Sequence, residues 1–195
     1  MDEAQNEKAT GKEPKETDST FSLDVEIAGL PYVFTGKIPP TPEDLTFTLH
    51  HPNWQEEVRR LNDLATKKGG WTLELSSFEH DQGEIAYLHA NPTRKQGADI
   101  YLERVRSNSW LLRESPYEDA EGLGRFLMDN FLTLADVRRW TVRAWPEASG
   151  RLSQRDLLRW LEREGFEEGH GSDLLRRPRQ PDLSQPIAKL LSNDN

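Results

Sequence analysis

Gly122-Leu123-Gly124-Arg125-Phe126-Leu127-Met128 stands at the head of a stretch that closes on Glu164-Gly165-Phe166, and the reading of this stretch decides the fold. Phe126, Leu127, Phe131 and Leu134 recur at helical spacing. Trp140, Val142 and Ala144 then alternate as a strand does, and Leu157, Leu158 and Leu161 form a second apolar helical face before Gly165. A helix, a strand and a helix in that order, opened by two glycines, imply a unit whose first helix begins at a flexible turn. The amides of a first helical turn have no intrahelical acceptor and lie at the positive end of the dipole, so a glycine-headed start suits an anion.

A second start for the same helix is open. Ser115-Pro116-Tyr117-Glu118 reads as an N-cap, a proline at the first helical position and a capping-box acid, which would place Gly122 and Gly124 inside the helix. Each would then cost about 1 kcal/mol relative to Ala and need a packing reason.

Working outward, Phe21, Leu23, Val25 and Ile27 alternate with polar residues, Gly29-Leu30-Pro31 turns the chain, and Tyr32-Val33-Phe34 starts a second strand of a hairpin. Pro39, Pro40 and Pro42 mark a loop. Trp54, Val58, Leu61 and Ala65 predict a helix over 53–67, stopped at Lys67-Lys68-Gly69-Gly70. Trp71 to Leu75, Glu84 to His89 and Ala98 to Val105 read as strands, with turns at Asp81-Gln82-Gly83 and Asn91-Pro92. Trp110-Leu111-Leu112 and Leu174-Leu175 are further short candidates. The expected fold is one α+β domain over residues 20–178, with a mixed, mainly antiparallel central sheet flanked by helices. Residues 1–19, polar and free of aromatics, are expected to be a disordered arm, and 179–195, broken by Pro181 and Pro186, a flexible tail with a small apolar face at Ile187 to Leu191.

Composition narrows the function classes. The 195 residues are 34% hydrophobic and 30% charged, with net charge −9 and no cysteine, which removes disulfides, thiolate metal sites and cysteine nucleophiles. No run of about 18 apolar residues is present, so no membrane span is expected, and a polar N-terminus points to a cytoplasmic protein. Residues 98–195 hold 17 acids against 15 bases, 14 of them Arg. Global acidity argues against sequence-independent nucleic-acid binding, which depends on neutralising phosphates.

The histidines His50, His51, His80, His89 and His170 lack metal-ligand spacing, so no metal is expected. Glu74 and Glu84 lie on candidate strands where a transferase could hold a general base, and Glu79-His80-Asp81 and His89 could neighbour one another across strands. All are more simply polar positions of a half-exposed sheet. Trp110 and Trp145 stand at loop boundaries. Arg151, Arg155, Arg159 and Arg163 recur every four residues, forming a drifting column on one helix face flanked by Arg138, Arg139 and Arg143. Such a column suits an acidic protein partner, and a solvated face balanced by Asp156, Glu162 and Glu164 explains it equally simply.

From Trp110 to Arg177 the chain resembles the cofactor-binding half of the GNAT superfamily of N-acetyltransferases. The resemblance rests on Gly122 and Gly124 at the two small positions of the family's glycine loop, on the helix, strand, helix order, and on Gly165-Phe166. It implies that acetyl-CoA is the cofactor, with its pyrophosphate on the amides of Gly122, Leu123, Gly124 and Arg125 and its carbonyl on a strand amide near Leu112 to Glu114. It also implies acyl transfer to an amine substrate by direct attack. Asp119 stands where the family's loop opens with Gln or Arg, beside Glu118 and Glu121, and Leu161 and Gln154 stand where Tyr and Asn are usual. The expectation is therefore a divergent N-acyltransferase, or a relative without catalysis. The alternative is a non-enzymatic adaptor that uses the Arg column.

Overall fold

The computed structural model describes residues 19–68, 83–93, 97–107, 115–117, 121–146, 153–169, 171 and 173–193. Strands β1 (Ser19–Ile27) and β2 (Leu30–Ile38) form a hairpin in unbroken antiparallel register, with Leu23 opposite Phe34. Its two-residue turn, Ala28-Gly29, has φ of 52° and 80°, the left-handed pair that matches strand twist.

Strand β3 (Leu45–His50) follows the proline loop and was not anticipated. Its Leu45, Phe47 and Leu49 are fully buried on one face, as period 2 requires. Helix α1 (Trp54–Lys67) then leads to β4 (Glu84–Pro92) and β5 (Ile100–Ser107), and β1 through β5 make one antiparallel meander. The expected strand at Trp71 to Leu75 and the candidate at Trp110 to Leu112 lie outside the described residues.

Helix α2 (Leu123–Arg138) crosses from β5 to β6 (Val142–Ala144), which pairs parallel with β5. Helix α3 (Gln154–Arg163), β7 (Glu167–Glu168) and β8 (Leu174–Arg176) follow. The eight strands stand in the order β1-β2-β3-β4-β5-β6-β8-β7, so the architecture is α+β with a mainly antiparallel mixed sheet.

The core lies between that sheet and α2, which packs on β3, β4 and β5. Phe34 meets the rings of Phe21, Phe47 and Phe126 edge-on at centroid distances of 4.9, 5.4 and 5.1 Å. Phe131, Leu134, Trp140, Val142 and Leu161 join this core as expected, with Phe126 and Leu158 at its half-buried margin. The segment after Pro178, read from sequence as a tail, ends in helix α4 (Pro186–Asn193), whose Ile187 and Ala188 are buried against α2. Asn130, fully buried on α2, holds it there. Its amide donates to Phe126 O and Gln185 Oε1, and its carbonyl accepts from Ile187 N at 3.1 Å.

Candidate functional site

Helix α2 begins at Leu123, not at Ser115. Gly122 is its N-cap at φ 81°, a conformation that a side chain would strain. Ser115 instead closes a short turn, its hydroxyl accepting from Tyr117 N at 3.1 Å. The first intrahelical bond runs from Phe126 N to Gly122 O, and Gly122 itself has no side chain with which to cap the terminus. The amides of Leu123, Gly124 and Arg125 therefore find no acceptor among the described residues. A side-chain carbon on Gly124 would meet only Val105 Cγ1, at an ordinary 3.5 Å, so packing among the described residues does not demand glycine there.

This terminus lies beside the carboxyl half of β5. Strands β5 and β6 pair only through Ile100, Leu102 and the residue between them, opposite Val142 to Ala144. Beyond Leu102, β5 continues to Ser107, while the other chain leaves β6 as Trp145, 48% exposed, and Pro146. The carboxyl ends of parallel strands are the usual ligand position of parallel α/β units, and α2 begins at that end of β5. Glu121 and the Arg125 side chain, the latter 3.6 Å from Asp129, are exposed there. Leu112, Glu118 and Asp119 lie outside the described residues.

Sequence reasoning missed a second group of polar and aromatic residues, at the same end of the sheet. Tyr117, from the turn before α2, packs edge-on against Tyr32 of β2 (5.3 Å) and lies 4.5 Å from the His51 ring, which neighbours Trp54 at the start of α1. The Tyr117 hydroxyl donates to Pro31 O at 3.0 Å. His51 Nδ1 accepts from Asn53 N, so the neutral ring carries its proton on Nε2, and burial holds its pKa below the ordinary value. Two hydrogen bonds from Arg60 hold the Glu57 carboxyl below the usual range, assisted by Ser115. Burial, reinforced by Tyr117, pushes the Tyr32 phenol up to about 12, and its buried hydroxyl has no hydrogen-bond partner among the described residues. The signal for this group was four aromatic or imidazole rings dispersed over 85 positions, too scattered for any spacing rule.

The Arg column is only partly a surface feature. Arg155, Arg159 and Arg163 are exposed on α3 and form no ion pair with another described residue, and Arg151 lies outside those residues. Arg143, read as flanking the column, is instead buried and paired with Asp173, because β6 lies inside the sheet between β5 and β8 and all three of its residues are buried. His89 pairs with Glu103 at 2.8 Å, and the Glu79 to Asp81 region and Glu74 lie outside the described residues. Glu84, at the start of β4, is half-buried. Leu161 points into the core, 2% exposed.

Among the described residues no group of three or more acids and histidines could hold a metal ion, and no helix is long and apolar enough to cross a membrane. The chain matches no family model, and the searches of curated proteins and of solved structures return no match to it.

Proposed function

We propose that this chain is a GNAT-like acyltransferase that binds acetyl-CoA at the start of α2 and transfers the acetyl group to an amine. One observation carries the reading: Gly122 caps α2 in the left-handed conformation, and three amides of the first turn have no acceptor among the described residues, at the carboxyl end of the parallel pair β5 and β6. The order α2, β6, α3 and then Gly165-Phe166 is the helix, strand, helix order on which the family resemblance rests. Gly124 adds support, since close approach of a diphosphate to its backbone gives a reason for glycine that packing does not.

The cofactor supplies an activated acyl thioester. The chain holds the diphosphate through Gly122, Leu123, Gly124 and Arg125, aligns the carbonyl near Leu112, and brings the amine within reach, so proximity and an oxyanion donor carry the rate. With Leu161 buried where a phenol would act, proton transfer to the leaving thiolate falls to solvent or to another side chain. Glu121 opposes anion binding through like charge and sets an affinity weaker at low salt than a neutral loop would give.

Titration calorimetry with acetyl-CoA tests this. Binding at micromolar to millimolar concentration, with a stabilisation of about 2.7 kcal/mol at a hundredfold excess over the dissociation constant, is the expected result. Gly122→Val should abolish it. No heat at millimolar acetyl-CoA overturns the reading.

Arg155, Arg159 and Arg163, exposed and without an ion pair among the described residues, favour a second reading, an adaptor for an acidic protein partner. Charge reversal of Arg155 and Arg159 to Glu should then abolish a salt-sensitive pull-down without loss of stability. Unchanged binding with a fall in stability makes the column a structural ion network.

A further inference from the structure

The first strand ends the sheet, and no described strand pairs with its outer edge. A row of unpaired backbone N–H and C=O groups nine residues long is a template for another strand, and proteins usually blunt such edges with proline, lysine, bulges or very short strands. β1, Ser-Thr-Phe-Ser-Leu-Asp-Val-Glu-Ile, has no proline or lysine, and its register with β2 is unbroken from end to end. Its only edge charges are Asp24 and Glu26, both exposed on one face with Thr20 and Ser22. Phe21, Leu23, Val25 and Ile27 share the other face, half-buried on the rim of the core.

We infer that β1 pairs antiparallel with β1 of a second copy of this chain about a twofold axis through Leu23, joining the two sheets. The spacing of the acids argues for this occupant and this register. Centred on Leu23, all nine residues of each strand find a partner: Leu23 faces Leu23, Phe21 faces Val25, Ser22 faces Asp24 and Thr20 faces Glu26. Each acid meets a hydroxyl, and the apolar rims of the two cores join on the same side. A register centred on Asp24 sets Asp24 against its own copy and shortens the overlap. Like charges directly opposite one another are destabilising, so the two acids select the Leu23 register. The pairing reaches the candidate site as well, because Ile27, the last residue of the paired strand, is the side chain among the described residues that a carbon placed on Gly122 would touch.

Two charge variants at exposed positions on the polar face test the register without disturbing the core. In Thr20→Glu/Ser22→Asp, acids face Glu26 and Asp24 of the other copy. In Thr20→Lys/Ser22→Lys, cations face them. Sedimentation equilibrium of the full chain at physiological salt should show a reversible dimer for the native sequence, a dissociation constant at least about tenfold weaker for the acidic pair, and a tighter one for the lysine pair. Circular dichroism of the monomers should match, as both positions are exposed, while the acidic pair should melt slightly above the lysine pair because Thr20 faces Lys37 of β2. A native chain that stays monomeric at several hundred micromolar overturns the inference, as does a dimer that both variants shift alike or leave unchanged.

Discussion

From β1 to β5 the strands run six to nine residues and the first three close on edge-to-face phenylalanines, whereas β6, β7 and β8 are two or three residues long and are fastened by two buried Arg–Asp pairs. Long strands bury enough apolar surface to hold themselves, but two short ladders beside a parallel strand do not. There the chain uses charge for position. Arg176 makes a two-point contact with Asp136 at 2.8 Å and donates to Glu164 O, while Asp136 also accepts from Arg179 N. One carboxylate thus ties the end of α2 to β8 and to the chain leading to α4. Such pairs repay their desolvation only when geometry and further hydrogen bonds are complete, so this half gains definition more than stability.

The largest expected effect breaks that half. Asp136→Ala should cost about 3 to 5 kcal/mol, because it leaves the Arg176 guanidinium buried without a partner. The apolar double variant Asp136→Leu/Arg176→Met should recover most of the loss in urea denaturation, which separates the cost of an orphaned charge from the worth of the pair. A double variant as unstable as the single would mean that the pair itself stabilises. In the aromatic half, Phe34→Leu keeps apolar volume but removes three ring contacts, and about 1 to 3 kcal/mol should be lost. A change under about 0.5 kcal/mol would show that area alone, without ring geometry, holds β1 to β3.

Smaller effects sharpen the contrast. Tyr32→Phe removes a buried hydroxyl without a partner among the described residues and should raise stability by about 1 kcal/mol, the opposite sign from the loss at Asp136→Ala. The smallest effect is a pH slope. Because burial lowers the pKa of His51, the unfolded chain binds more protons as pH falls below about 6.5, so stability declines from there through the folded-state value. His51→Gln should flatten denaturation midpoints between pH 7 and 5, and an unchanged slope would place the titration elsewhere.

What could be read from the sequence follows the same division. The alternation Phe21, Leu23, Val25, Ile27 and the helix from Trp54 emerged because local periodicity and burial agree. β3 was overlooked even though Leu45, Phe47 and Leu49 alternate, since the three prolines before it read as a loop and the strand is only six residues long. The start of α2 was undecidable because Ser115 and Gly122 both offer cap chemistry, and the φ of Gly122 decides it. Partners such as Asp136 and Arg176, 40 positions apart, leave no local pattern, so the C-terminal clamp and its hold on α4 could not be read. For the same reason Arg143 passed for a surface cation.

The parallel pairing of β5 with β6 sets the order in which this chain can fold. The β1-β2 hairpin closes through a two-residue turn, but the contact of Asp99 with Thr141 spans 42 positions, and the α2 crossover must be gathered before it forms. Loop-closure entropy is spent there ahead of any return. Refolding should therefore run in an order that ends at β6, with substitutions at Val142 and Arg176 speeding unfolding and those at Phe34 and Phe47 slowing folding. A newly made chain would hold its aromatic meander while β6, the parallel partner of β5, is still undocked.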